Sequence, residues 1–131
     1  MSINDVFVQH GEDYFRKIEK EELYKVIQST VLSVVSTGGG TPCFYDNMKT
    51  INAHGLSIYL KLGKQRIYDR IKKDSSRPLL KNKNKKELFT YIKETLSRRN
   101  VFYSQATFTV QGYRTPDTIV NRIIMILSKD K

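Results

Sequence analysis

With a single cysteine, Cys43, the 131-residue chain cannot form an internal disulfide, which suits a reducing cytoplasm. No apolar run approaches the length of a membrane span, and the first residues lack the basic-then-apolar pattern of a signal peptide. No GxxxxGK[ST] phosphate-binding sequence occurs. His10 and His54 stand without cysteines or carboxylates at metal-ligand spacing, which argues against zinc, and nothing resembles a Ser-His-Asp arrangement. Internal repeats and domain-splitting linkers are absent, so the length predicts one domain. Acidic residues are also scarce: 13 Asp+Glu oppose 23 Lys+Arg, for a formal charge of +10.

That excess predicts attraction to something polyanionic, either nucleic acid or phosphorylated small molecules. The Lys-rich runs at 71–73 and 81–86 are equally readable as solvated loops. Charge alone supports a nucleic-acid binder. The chain has no interleaved aromatics on a basic strand and no helix-turn-helix signature. The expected partners are therefore small molecules, with neither nucleic acid nor membrane.

What is present is an alternation of helical and short apolar patterns. Ile3, Val6 and Phe7 have helical spacing behind Ser2 as N-cap, and Gly11 interrupts that helix. Residues 12–29 form a long amphipathic pattern with Phe15, Ile18, Val26 and Ile27 toward one side. The β-branched run 31–36 predicts a fully buried strand. A helix over 44–54 follows, closed by Gly55, then a second buried strand at 56–60 and a helix over 63–72. Pro78 and the loss of periodicity make 72–86 a mobile loop. Next come a helix over 86–98 and a strand near 107–110. In the last helix Thr115 is the cap and Pro116 the first residue, with Ile119, Ile123, Ile126 and Leu127 inward. This order predicts an α/β protein with a parallel sheet.

Open parallel sheets bind ligands at the carboxyl ends of their strands, where the turn after 31–36 falls. Gly38, Gly39 and Gly40 let backbone approach an oxygen-rich ligand without a Cβ in the way. The plainer alternative is a tight turn that needs positive φ. Four arginines, Arg16, Arg70, Arg77 and Arg99, fall where they can converge on that edge, and a guanidinium fork suits carboxylate or phosphate. Taken singly, each reads more readily as a surface residue, and Arg16 can pair with Glu19 along its helix. Cys43, beside the glycine turn, reads as an inert thiol.

Taken together, five segments in order resemble shikimate kinase: "GEDYFRKIE" (11–19), "VVSTGGG" (34–40), "RIKKDSSRPLL" (70–80), "RRNVFY" (98–103) and "TPDTIVNRI" (115–123). The resemblance implies a three-layer, parallel-sheet, nucleoside-kinase-like (P-loop kinase) fold, with a lid at about 72–86. It also implies ATP- and Mg²⁺-dependent phosphorylation of the shikimate 3-hydroxyl, on the route to chorismate and the aromatic amino acids. By this likeness Arg16 and Arg99 clamp the shikimate carboxylate, and Gly38, Gly39 and Gly40 contact the ring hydroxyls. Arg77 binds ATP phosphates and stabilises charge in the transfer, while Arg70 and Arg114 lie near the adenine.

Family members begin with a strand, a P-loop and a helix, and a second strand then carries the carboxylates that hold shikimate. The resemblance here starts after that βαβ unit. It therefore implies a truncated kinase with impaired catalysis, or a non-catalytic shikimate-binding remnant. The family's first strand lies between those matching 31–36 and 56–60. The family is typically monomeric, but a sheet opened at that place invites self-association.

Overall fold

The computed structural model describes residues 1–73 and 83–129. They form two compact units, Met1–Ser57 and Ile58–Lys131.

The first unit is built on α1 (Ile3–Gln28), a short 3₁₀ turn (Thr41–Cys43) and α2 (Asn47–His54). Ser2 caps α1 reciprocally. Its hydroxyl accepts from the Asp5 amide at 3.1 Å, and the Asp5 carboxylate accepts from the Ser2 amide at 2.9 Å. Those bonds hold the Asp5 carboxyl below its ordinary pKa. At Gly11 the backbone leaves the helix, with φ 83° and ψ 175°, so α1 is two helical segments joined at the residue expected to divide them. Leu23 and Met48 are buried, and α1 packs on both α2 and the 3₁₀ turn. Val26, expected inward, is 41% exposed.

Residues 31–36 do not form the expected buried strand. Leu32 and Val34 are fully exposed, and Val31 and Val35 are largely so. A β-branched run has the side chains for a sheet but needs neighbours for its backbone. Among the described residues the sheet has two strands, and neither is this one.

The second unit contains β1 (Ile58–Lys61), α3 (Lys64–Ile71), α4 (Lys85–Tyr103), β2 (Phe108–Gln111) and α5 (Pro116–Lys129). β1 and β2 pair in parallel, with Ile58 opposite Phe108 and Lys61 opposite Gln111. Parallel neighbours need a long crossover, supplied here by the segment containing α3 and α4. β1 is not buried as expected: Leu60 is 50% exposed, because the strand has one neighbour and one open edge among the described residues.

On α4, Leu88 and Ile92 are buried, one turn apart, and Phe89 meets Tyr68 of α3 edge-on at 5.8 Å. Helix α4 starts at Lys85, capped by Asn84 through the Glu87 amide at 2.8 Å. The expected loop therefore ends earlier than residue 86; its 74–82 portion lies outside the described residues. Thr115 caps α5 through the Thr118 amide at 3.3 Å, and Ile119, Ile123, Ile126 and Leu127 are the less exposed face, as their spacing predicts.

Candidate functional site

Arg16 is the most unusual side chain of the first unit: a guanidinium with the residue only 8% exposed. Three kinds of contact hold it. Nη1 donates to Glu19 at 3.0 Å, while Nε and Nη2 both donate to one oxygen of Glu12, at 3.4 and 3.3 Å. The Phe44 ring lies 4.3 Å from the guanidinium carbon and the Phe15 ring 5.2 Å, within cation–π range. Gly40 closes a further side. A Cβ built there would come within 2.5 Å of both Nη1 and Nη2 and 2.7 Å of Cζ.

The glycine turn thus has a definite local task. Gly11 is the only positive-φ glycine among the described residues, so the turn at 38–40 does not need glycine for its dihedrals. Gly40, at φ −87° and ψ −18°, has backbone angles any residue can adopt. It is glycine because the arginine occupies the space of its side chain. Gly38 is looser, with its nearest neighbours, Thr41 Oγ1 and Glu19 Oε2, at 3.3 and 3.4 Å. The Gly38 and Gly40 carbonyls accept from the Thr41 and Cys43 amides at 3.1 and 2.9 Å, and the Cys43 thiol faces the Gly39 carbonyl at 3.8 Å.

Asn47 supports this turn from beneath. It is fully buried, and its Nδ2 donates to the Thr41 carbonyl at 2.9 Å, while its Oδ1 has no partner. Tyr45 and Asp46 lead into α2 in left-handed conformations, with φ 52° and 58°. Two consecutive non-glycine residues in that region are held there by their surroundings. Glu12, Phe44 and Asn47 were missed from the sequence. Glu12 had a readable signal, four residues before Arg16; the ring and the amide had none.

A second group gathers at the carboxyl end of β2 in the other unit. Arg70 Nη2 donates to the Gly112 carbonyl at 3.3 Å. Tyr113 carries two guanidinium groups, Arg66 at 4.8 Å and Arg114 at 5.1 Å from its ring centre. Arg70 and Arg114, which the resemblance puts near the adenine, therefore both meet the loop that follows β2, and Arg66 joins them unpredicted. Gly112 donates to the Lys61 carbonyl at 2.7 Å, and a Cβ there would press on that oxygen at 3.2 Å. Beside the loop, a cleft of about 400 Å³ is lined by Thr109, Gln111, Arg114, Thr118 and Arg122, with Val110 and Ile119 as its apolar part. Two guanidinium groups and two hydroxyls fit a phosphate-bearing ligand.

Arg99 is half-buried on α4, and Arg77 lies outside the described residues. Among the described residues no three His, Cys, Asp or Glu side chains are grouped to hold a metal ion. No helix among them is long and apolar enough to cross a membrane.

A family model described as shikimate kinase matches residues 1–128. Among curated proteins, the shikimate kinase of Azobacteroides pseudotrichonymphae is 39% identical over 122 residues, covering 91% of this chain and 72% of that protein. The one from Parabacteroides distasonis is 38% identical over 109 residues, covering 82% and 62%. Of solved structures, the shikimate kinase of Bacteroides thetaiotaomicron superposes with a TM-score of 0.88 at 31% identity, over 97% of this chain and 75% of that one. The shikimate kinase of Aquifex aeolicus gives 0.82 at 29% identity, over 99% and 74%. The chain spans 60% to 76% of the length of such relatives, depending on the one compared. The α/β class expected from the sequence is the class of these solved structures.

Proposed function

The chain belongs to the shikimate kinase family, and from that premise we propose that it serves the ATP-dependent phosphorylation of the shikimate 3-hydroxyl, with Arg16 as its carboxylate-binding residue. The observation that carries this is the packing of Arg16. A surface arginine needs neither burial nor a glycine shaped around it, whereas one aimed at a planar carboxylate needs a fixed plane and edge. Phe44 and Gly40 fix the plane, and Glu19 fixes one edge.

The remaining assignments follow the resemblance. Gly38, Gly39 and Gly40 border the ring hydroxyls of the substrate, and Arg99 keeps its substrate-binding role. Arg70 and Arg114 serve the nucleotide, which the gathering of Arg66, Arg70 and Arg114 at the loop after β2 and the adjoining cleft support. Arg77 is assigned to the ATP phosphates. ATP supplies the transferred phosphoryl group. Mg²⁺ is commonly held by one or two carboxylates together with substrate phosphates, and the described residues offer it no ready-made cage. A single domain working in the cytoplasm completes the reading.

The 131 residues contain no GxxxxGK[ST] sequence, whose backbone cradle and lysine carry most of the phosphate contact in P-loop enzymes. This chain by itself is therefore expected to bind shikimate without appreciable turnover. Calorimetry with shikimate and an ADP-release assay coupled to NADH oxidation test the two halves separately. Heat that disappears in Arg16→Ala supports the assignment, and no heat at millimolar shikimate refutes it. Turnover by these 131 residues would refute the expected incapacity.

A further inference from the structure

Arg16 meets two carboxylates that are not equivalent. Glu19 is closely held, with its side chain 15% exposed and the contact at 3.0 Å on Nη1. Glu12 is 57% exposed, and a single oxygen of it sits on the Nε/Nη2 edge at 3.4 and 3.3 Å. Charge-assisted N–H···O bonds settle near 2.7–2.9 Å, so both Glu12 contacts are slack. Around the guanidinium, Phe44 covers a face, Gly40 abuts the two Nη atoms and Glu19 holds Nη1. The Nε/Nη2 edge is the side whose occupant is solvent-exposed and loosely bonded. It is also an edge that can receive a carboxylate through two parallel donors.

From this arrangement we propose that Glu12 is an internal stand-in for the ligand carboxylate: it occupies the Nε/Nη2 edge of Arg16 and must leave when a small-molecule carboxylate binds. The inference rests on the assignment of Arg16 as the carboxylate-binding residue. With Glu12 and Glu19 both ionised, the cluster already carries one net negative charge. A third carboxylate joining it without displacement would meet repulsion from both. Displacement of Glu12 into solvent avoids that, at the cost of one slack ion pair whose carboxylate is already more than half exposed. Glu12 is thus an affinity-setting residue acting through Arg16, and it disfavours ligands too weak to displace it. A purely structural glutamate would have the opposite signature, because removing it would loosen Arg16 and weaken binding.

The test follows the Arg16 Nε–H signal by NMR in nitrogen-15-labelled protein for the natural chain, Glu12→Gln and Glu12→Asp, and reads Arg16→Ala, which carries no such signal, by the heat of ligand binding. Sodium acetate, with sodium chloride as control, and then shikimate are the probes. In Glu12→Gln, acetate and shikimate should both bind about three- to fivefold more tightly, as loss of an exposed pair at the upper end of its usual strength implies. Glu12→Asp, which keeps the charge on a shorter arm, should fall between the two. Tighter acetate binding without any response to shikimate would uphold the stand-in role while refuting the shikimate assignment. Unchanged or weaker carboxylate binding in Glu12→Gln would overturn the stand-in role. If Arg16→Ala then still abolishes the shikimate response, the shikimate assignment survives that loss.

Discussion

Replacing Gly40 by alanine tests the geometry of the site more sharply than replacing Arg16 itself. The added methyl would stand 2.5 Å from Nη1 and Nη2, a distance real Cβ atoms do not tolerate, so one partner must move. The backbone at φ −87° accepts alanine without strain. The yielding group is therefore the guanidinium, the far end of a flexible side chain. Its departure breaks the contact over Phe44, about 0.5–2 kcal/mol. It also leaves the little-exposed Glu19 carboxylate without its donor, which costs about 1–3 kcal/mol. Against this, alanine narrows the unfolded ensemble and returns about 0.4–1 kcal/mol. The expected net loss is about 0.5–4.5 kcal/mol, centred on roughly 2.5, read as a lower urea midpoint with unchanged slope by circular dichroism. Shikimate affinity should fall by about tenfold or more, since each 1.4 kcal/mol of misplaced contact is a factor of ten. Gly38→Ala, in the same turn but with neighbours at 3.3 and 3.4 Å, is the control and should stay within about 0.5 kcal/mol of the natural chain. The decisive comparison is a double-mutant cycle. In an Arg16→Ala background the space beside residue 40 is vacant, and Gly40→Ala should then be neutral or stabilising. An equal cost in both backgrounds would show that Gly40 serves something other than the arginine.

Two further outcomes follow from other parts of the fold. Burial, with a smaller contribution from Tyr103, raises the pKa of Tyr59, whose ring lies 5.1 Å from that of Tyr103. The folded state thus favours the neutral phenol. Its contribution is complete below the unfolded tyrosine value of about 10 and is lost as pH rises through the folded value. Urea midpoints measured across that window should decline, and Tyr59→Phe should flatten the decline; an unchanged slope would contradict the assignment. Separately, the exposed run Val31–Val35 should drive self-association through apolar side chains and unpaired backbone. Light scattering coupled to size exclusion should show Leu32→Lys together with Val34→Lys shifting the natural chain toward monomer, and no shift would remove that run as the cause.

Sequence legibility divides along a physical line. Local features were readable because they depend on a few neighbouring residues: the Ser2 cap, the break at Gly11, the Thr115 cap and the inward stripe of α5 all stand where their spacing puts them. The strand at 31–36 was read from side chains whose character suits a sheet, but a strand is a relation between segments, and no neighbour pairs with it among the described residues. The site shows the same division. Arg16, Glu19 and the glycines were visible as types at helical or turn spacing. The reason for Gly40 was not, because positive φ and close approach leave the same letter in a sequence. What separates them is the location of the guanidinium under Phe44, nearly thirty residues along the chain, and of a turn tied down by a buried Asn47 with no periodic signal. Glu12 marks the boundary between the two kinds of knowledge. Its spacing from Arg16 was legible as an ordinary helix-surface pair, but its unequal share of the guanidinium appears only beside Glu19, and that inequality makes one carboxylate a support and the other a competitor.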